Sequence, residues 1–201
     1  MTENKLNIIC CDKNEITVDR CEAYRYMGLK RDYKNEEFEE IYKDCLCAFT
    51  ENVSFKAAYR KSSLTFGEGN MLHFDFCSFE SADLKKNLKD CKYVYVFAAT
   101  TGMGIDRLLL KYSRLSPIEL MALDCIASSG IECFCDKVNS VIAEGKDTKP
   151  RFSLGYGDTK LSYQKDLLSF LDADKTLGIT LNDSMMMTPK KTVTAFIGVR
   201  L

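Results

Sequence analysis

Tryptophan is absent from this 201-residue chain, histidine occurs once, at His73, and proline occurs three times. With one isolated imidazole there is no Ser/His/Asp or Cys/His arrangement, so triad-type nucleophilic catalysis is not read from these residues. A phosphate-binding loop with its lysine is also missing, and no pair of carboxylates stands out by spacing. Neither sign of charge is in excess: Lys plus Arg number 28 and Asp plus Glu 29. Nucleic-acid binders usually carry a basic surplus, so none is expected as a partner. No apolar run approaches the roughly eighteen residues that span a bilayer, and no membrane partner is expected either. Met1-Thr-Glu-Asn-Lys lacks the basic start and apolar stretch of a secretory signal, which makes the cytoplasm the expected address.

Cysteine, by contrast, is plentiful. Ten residues fall at 10, 11, 21, 45, 47, 77, 91, 125, 133 and 135. None forms a Cys-x-x-Cys pair, so zinc and iron–sulfur readings lack their usual ligand spacing and no metal is expected. Cys45 with Cys47 and Cys133 with Cys135 fall in helical patterns, where a step of two points side chains to different faces. Most of the cysteines read as small buried hydrophobes of a reducing compartment.

The chain alternates helices and strands without regular βαβ units. Residues 5–10 read as a strand and 17–27 as a helix stopped by Gly28. Phe38, Ile41, Tyr42, Cys45 and Phe49 share one helical face. Val53, Phe55, Ala57 and Tyr59 alternate as a strand over 53–60, and Met71 to Phe76 continues strand character. His73 reads as a strand side chain rather than a catalytic base. Ser81 opens a short helix ending near Cys91. Tyr93 to Ala99 is the strongest strand signal, followed by a helix containing Leu108, Leu109 and Leu110. Ser116-Pro117-Ile118-Glu119 combines an N-cap Ser, a first-turn Pro and a capping-box Glu, opening a helix that runs to about Glu144. A polar loop over 145–158, a helix over 161–171, a turn with a short strand over 180–187 and a strand over 192–199 complete the pattern. The expectation is one α+β domain over 1–201, with a largely antiparallel sheet.

Three places could carry chemistry. Gly102-Met-Gly104 sits at a strand-to-helix junction, where glycines either present backbone N–H groups to an anion or simply make a tight turn. Arg151-Phe-Ser-Leu-Gly-Tyr-Gly-Asp158 gathers a cation suited to a carboxylate, permissive glycines and an aromatic ring. The alternative there is a surface turn, with Asp158 capping the helix that follows. Met185-Met-Met187 offers flexible thioethers for an adaptable apolar surface or for core filling.

The order and spacing of these segments resemble the activation domain of vitamin B12-dependent methionine synthase in its short stand-alone form. The resemblance lies in residues 151–158, Leu171-Asp-Ala-Asp174, Gly178-Ile-Thr-Leu-Asn-Asp-Ser184, Met185-Met-Met-Thr-Pro-Lys190 and Thr192-Val-Thr-Ala-Phe-Ile-Gly198. Residues 96–106 and 123–132 also fit. It covers 92–201, whereas residues 1–91 agree only in length and order. It implies a twisted, largely antiparallel sheet with flanking helices, one of them long.

The resemblance also implies a job: binding S-adenosylmethionine beside a corrin, so that an inactive cob(II)alamin is reductively methylated with an electron from a flavodoxin-like or other donor. Arg151, Ser153, Gly155, Tyr156 and Gly157 would then form the S-adenosylmethionine site, with Arg151 on the amino-acid carboxylate. Tyr156, Met185 and Met186 would face the cobalamin. Two departures are visible: Gly157-Asp158 follows where the synthase-embedded form has proline and cysteine, and Leu154 stands where stand-alone relatives carry proline. An Asp-x-His-x-x-Gly cobalamin-ligating motif is missing, so any cobalamin is expected on a separate methyltransferase chain. A docking or chaperone-like partner of a corrinoid protein that does not use S-adenosylmethionine is the competing reading.

Overall fold

The computed structural model describes residues 5–200. Its organising strand is β2, Phe55–Phe66, which follows β1, Asn7–Cys11, and helices α1, Arg20–Tyr26, and α2, Glu36–Asn52. The strand expected over 53–60 therefore begins later and runs further. Val53 closes α2, its N–H donating to the Phe49 carbonyl. The continuation through Lys61, Ser62 and Ser63 is held by pairing with β5, Tyr93–Thr100. On its other edge β2 carries β1 over its first half and β3, Met71–Phe74, over its last residues. The order through the antiparallel sheet is β4 (Ser78–Glu80), β3, β2, β5, β9 (Thr192–Arg200), β6 (Asp147–Thr148), with β1 off this path beside β2. A separate hairpin joins β7, Thr180–Leu181, to β8, Met187–Thr188.

Both faces of the central strands are covered. Phe97, Ala99, Ala195 and Ile197 face a core built with α1, α2, α4 (Met103–Tyr112) and α5 (Pro117–Ala143). Val94, Val96, Ala98 and Phe196 face a second core with α3 (Ala82–Asn87), α6 (Gln164–Phe170) and α7 (Ala173–Leu177). Burial on both sides explains why β5 reads as a continuous apolar run. It also places Phe196 inside, where strict alternation in β9 would have left it facing water.

Helix α5 starts as its sequence dictates: the Ser116 hydroxyl accepts from Glu119 N–H and Pro117 occupies the first turn. Over 27 residues it rises about 40 Å and buries Leu123, Ile126, Ala127, Gly130, Ile131, Phe134 and Val138 along one stripe. The opposite stripe is polar and includes Asp124, Ser128, Glu132 and Asp136. Only Cys45, Cys91, Cys125 and Cys135 are buried, which corrects the expectation that most cysteines are core residues. Cys10 and Cys47 are exposed and the other four are half-buried. A step of two on a helix turns Cys47 and Cys133 away from the core that takes Cys45 and Cys135. Burial pushes the Cys45 thiol up to about 11 and that of Cys77 up to about 12, which keeps both protonated at neutral pH. No described helix is long and apolar enough to cross a membrane.

Candidate functional site

The chain leaving β6 keeps to the edge of β9. Lys149 N–H donates to the Gly198 carbonyl, and Phe152 exchanges backbone hydrogen bonds of 2.9 and 2.8 Å with Phe196. This places Arg151 against the polar stripe of α5. Its guanidinium donates to Asp136 Oδ1 at 2.5 Å and to Glu132 Oε2. Burial opposes the Arg151 charge, but the Asp136 hydrogen bond and the neighbouring acidic groups hold its pKa above the ordinary arginine value.

Leu154 then turns inward and is buried in the second core, pinning the segment. The next turns use positive φ, +87° at Gly155 and +56° at Gly157. A Cβ on Gly157 would stand 2.1 Å from Asp83 Oδ2, so this glycine also allows a close approach to α3. Asp158 does not cap the helix that follows it. Its carboxylate accepts from the Ser81 hydroxyl, from Ala82 N–H at 2.7 Å and from Asp83 N–H at 3.2 Å, and so caps α3 from 75 or more residues away. Those donors depress the Asp158 pKa, the Ser81 hydroxyl first. Between these anchors Tyr156 is pushed outward, with 68% of its surface exposed.

Behind Arg151 lies a cavity of about 520 Å³, lined by Ser153, Leu154, Tyr156, Leu161, Met185 and Met187 among others. Its inner wall carries Gln164 and Thr194. Met185 lines it with a positive φ of +61°, in a turn where Asn182 Oδ1 accepts from Ser184 and Met186 N–H. Beyond Arg151 a second groove holds Asp19, Glu22, Arg25, Tyr26, Glu132, Cys133 and Asp136, and Tyr156 borders both.

Of the residues singled out by sequence, Arg151, Ser153, Tyr156 and Met185 meet at this cavity. Gly155 and Gly157 shape the turn and are not among its lining residues. Met186 is 63% exposed beside it, while Met187 faces inward. Glu132, Asp136, Gln164 and Thr194 are the site residues that sequence reasoning missed. Glu132 and Asp136, four apart on a helix, were the available signal.

The Gly102-Met-Gly104 junction is closely packed. Gly102 N–H donates to Thr100 Oγ1 at 3.2 Å, and a Cβ on Gly104 would meet the Asn52 carbonyl at 2.1 Å. Neither glycine lines the cavity. His73 lies on β3 with Nδ1 2.7 Å from Ser78 Oγ and lines none of these cavities.

An antiparallel sheet with helices on both faces, one long helix and an arginine-bearing loop against that helix together define an α+β fold. The chain shares its fold with the structure described as "Crystal Structure of the MetH Reactivation Domain bound to AdoHcy", with a TM-score of 0.71 at 12% identity. The match covers 98% of this chain and 79% of that one. No family model and no curated protein sequence matches the chain.

Proposed function

We propose that this chain is an S-adenosylmethionine-binding module that supports reductive methylation of cob(II)alamin on a separate corrinoid methyltransferase in the cytoplasm. The observation that carries the reading is the placement of Arg151 at the mouth of the cavity, in a fold shared with a domain bound to AdoHcy. An amino-acid end group needs a fork of donors for its carboxylate and acceptors for its ammonium. Arg151 offers the first, and Glu132 with Asp136 the second. These three carry a net charge of −1, which favours a ligand whose sulfonium adds a positive charge. Tyr156 is exposed and borders both grooves, so its ring is available to such a cation, whereas the Tyr26 ring already carries the Arg25 guanidinium 4.6 Å from its centroid.

A corrinoid on the partner would supply the redox and methyl-accepting chemistry, with its electron coming from a separate donor. This chain contributes placement of the methyl group. Tyr156 and Leu161 line the cavity and are exposed, and Met186, exposed between lining Met185 and Met187, adds to an apolar surface of the kind that a partner covers. With its one histidine on β3, the chain leaves cobalt ligation to the partner.

Isothermal calorimetry with S-adenosylhomocysteine tests the reading. Binding is expected, and it should weaken at least tenfold in Arg151→Ala. Equal affinity of the two proteins would overturn the site. The competing role, a docking partner that does not use S-adenosylmethionine, draws on the neutralisation of Arg151 by α5. It predicts no nucleoside binding and a partner complex indifferent to Arg151→Ala.

A further inference from the structure

Helix α3 is amphipathic over its short length. Leu84 and Leu88 are buried in the second core, and the outward stripe carries Ala82, Lys85 and Lys86, with Lys89 following just past the helix end. These four residues line a shallow groove of about 630 Å³, together with Phe66, Asn70 and Asp90. Lys85 ties α3 to the β2–β3 turn, its Nζ donating to the Gly67 carbonyl at 3.1 Å and to the Gly69 carbonyl at 2.6 Å. Three ammonium groups against one carboxylate give the lining a net charge of +2, on a chain whose net charge is −1. Among the described residues none of the three lysines pairs with a carboxylate. Like charges crowded on one helical stripe repel. The end of a helix favours cations, but it does not call for an aromatic ring beside them. Phe66, 43% exposed, brings one to the same groove.

The polar groups here are flexible ammonium tips in solvent, not buried donors that would fix the orientation of a small ligand. The lysine stems and the Phe66 ring make the floor apolar. Cations around an apolar floor complement a protein segment with carboxylates around one apolar side chain. We infer that this groove docks an acidic segment of a partner protein, with an apolar side chain against Phe66 and carboxylates at Lys86 and Lys89. None of its lining residues borders either cavity beside Arg151, so the inference stands apart from the proposed function and the surface is open while that site is occupied.

The probe is a fluorescein-labelled peptide of about ten residues, Asp and Glu around a central Leu, followed by anisotropy on the full chain. Binding should weaken roughly tenfold between about 50 and 300 mM salt, and at least about tenfold in Lys86→Glu/Lys89→Glu. Phe66→Ser should weaken it about threefold or more. Replacing the peptide's Leu by Ser should cost wild type the same factor and cost Phe66→Ser nothing further. Phe66, Lys86 and Lys89 are exposed, and matched thermal melts show that the variants keep the fold. Charge reversal at exposed Lys43 and Lys111, on α2 and α4, should leave binding within about twofold. An equal loss in that control, or a Phe66→Ser affinity that still depends on the peptide's Leu, would reduce the binding to unspecific charge and overturn the inference. Absence of peptide binding by wild type, or groove-dependent binding to phosphatidylglycerol vesicles in its place, would also overturn it and leave the proposed function standing.

Discussion

Arg151 and Glu132 are joined by a charge-assisted hydrogen bond between the loop after β6 and the middle of α5, with Asp136 one turn further along as the second acceptor. The pairs are partly exposed, Asp136 strongly so, and exposed pairs contribute at most about 1 kcal/mol. Glu132→Gln and Asp136→Asn should therefore shift stability by less than about 1 kcal/mol. On the proposed function, each should also weaken S-adenosylhomocysteine binding by roughly tenfold, since each removes a negative charge facing the ammonium and puts an amide N–H donor in place of one acceptor. Denaturant melts and calorimetry on the same samples separate the two effects, and an affinity unchanged in both variants would argue against this use of α5.

Leu154 anchors the Arg151 segment by burying its side chain in the second core. Leu154→Ala should cost about 2–4 kcal/mol in a urea melt. A loosened loop should also lower ligand affinity at a temperature where the protein remains folded. An unchanged melt would mean that the loop holds itself in place without this contact.

Asp158 makes stability depend on pH in a defined direction. Its folded pKa lies below that of the unfolded chain, so its contribution is fully present above the unfolded value of about 4 and is lost as pH falls through the depressed native value. Asp158→Asn should lower the melting temperature at pH 7 and bring the variant and wild type together near pH 2. A gap that persisted at the lowest pH would contradict the capping role of the carboxylate.

Gly130 faces the Phe49 ring, and a Cβ there would stand 2.7 Å from Cζ. Alanine gains about 1 kcal/mol of helix propensity, against about 1–3 kcal/mol for overpacking a ring held in the core. A net loss of up to about 2 kcal/mol is expected for Gly130→Ala, read from the denaturation midpoint. A stabilised variant would show that Phe49 can give way.

The Tyr42 hydroxyl is buried with no hydrogen-bond partner in the structure, and burial raises its pKa to about 12. Removing an unsatisfied group relieves a desolvation penalty. Tyr42→Phe should be neutral or stabilising by up to about 1 kcal/mol, and a clear loss in thermal denaturation would reveal a partner for the hydroxyl.

Much of the fold was legible because its signals are local. The Ser116-Pro117 start and the apolar stripe of α5, the β-branched and aromatic run of β5 and the cap at Ser81 each depend on near neighbours in the chain. The length of β2 was not legible, because polar Lys61, Ser62 and Ser63 extend only through their pairing with Val94, Tyr93 and Tyr95. Asp158 looked like a cap for its own helix, and only the packing of the loop on α3 turned it toward Ser81 and Ala82. On α5, Glu132 and Asp136 have the spacing of an ordinary solvated face.

The sequence by itself determined the positions of most helices and strands, together with Arg151, Tyr156 and Met185 as candidate site residues. Periodicity, capping and turn chemistry act within a few residues and can be read in order. Only the tertiary structure decided that Arg151 meets Glu132 and Asp136, that Leu154 is a buried anchor, and that Gln164 and Thr194 form the inner wall of the cavity. Those relations join segments 15 to 30 or more residues apart, and their energies depend on burial and distance after the sheet has brought β9, α5 and the loop together.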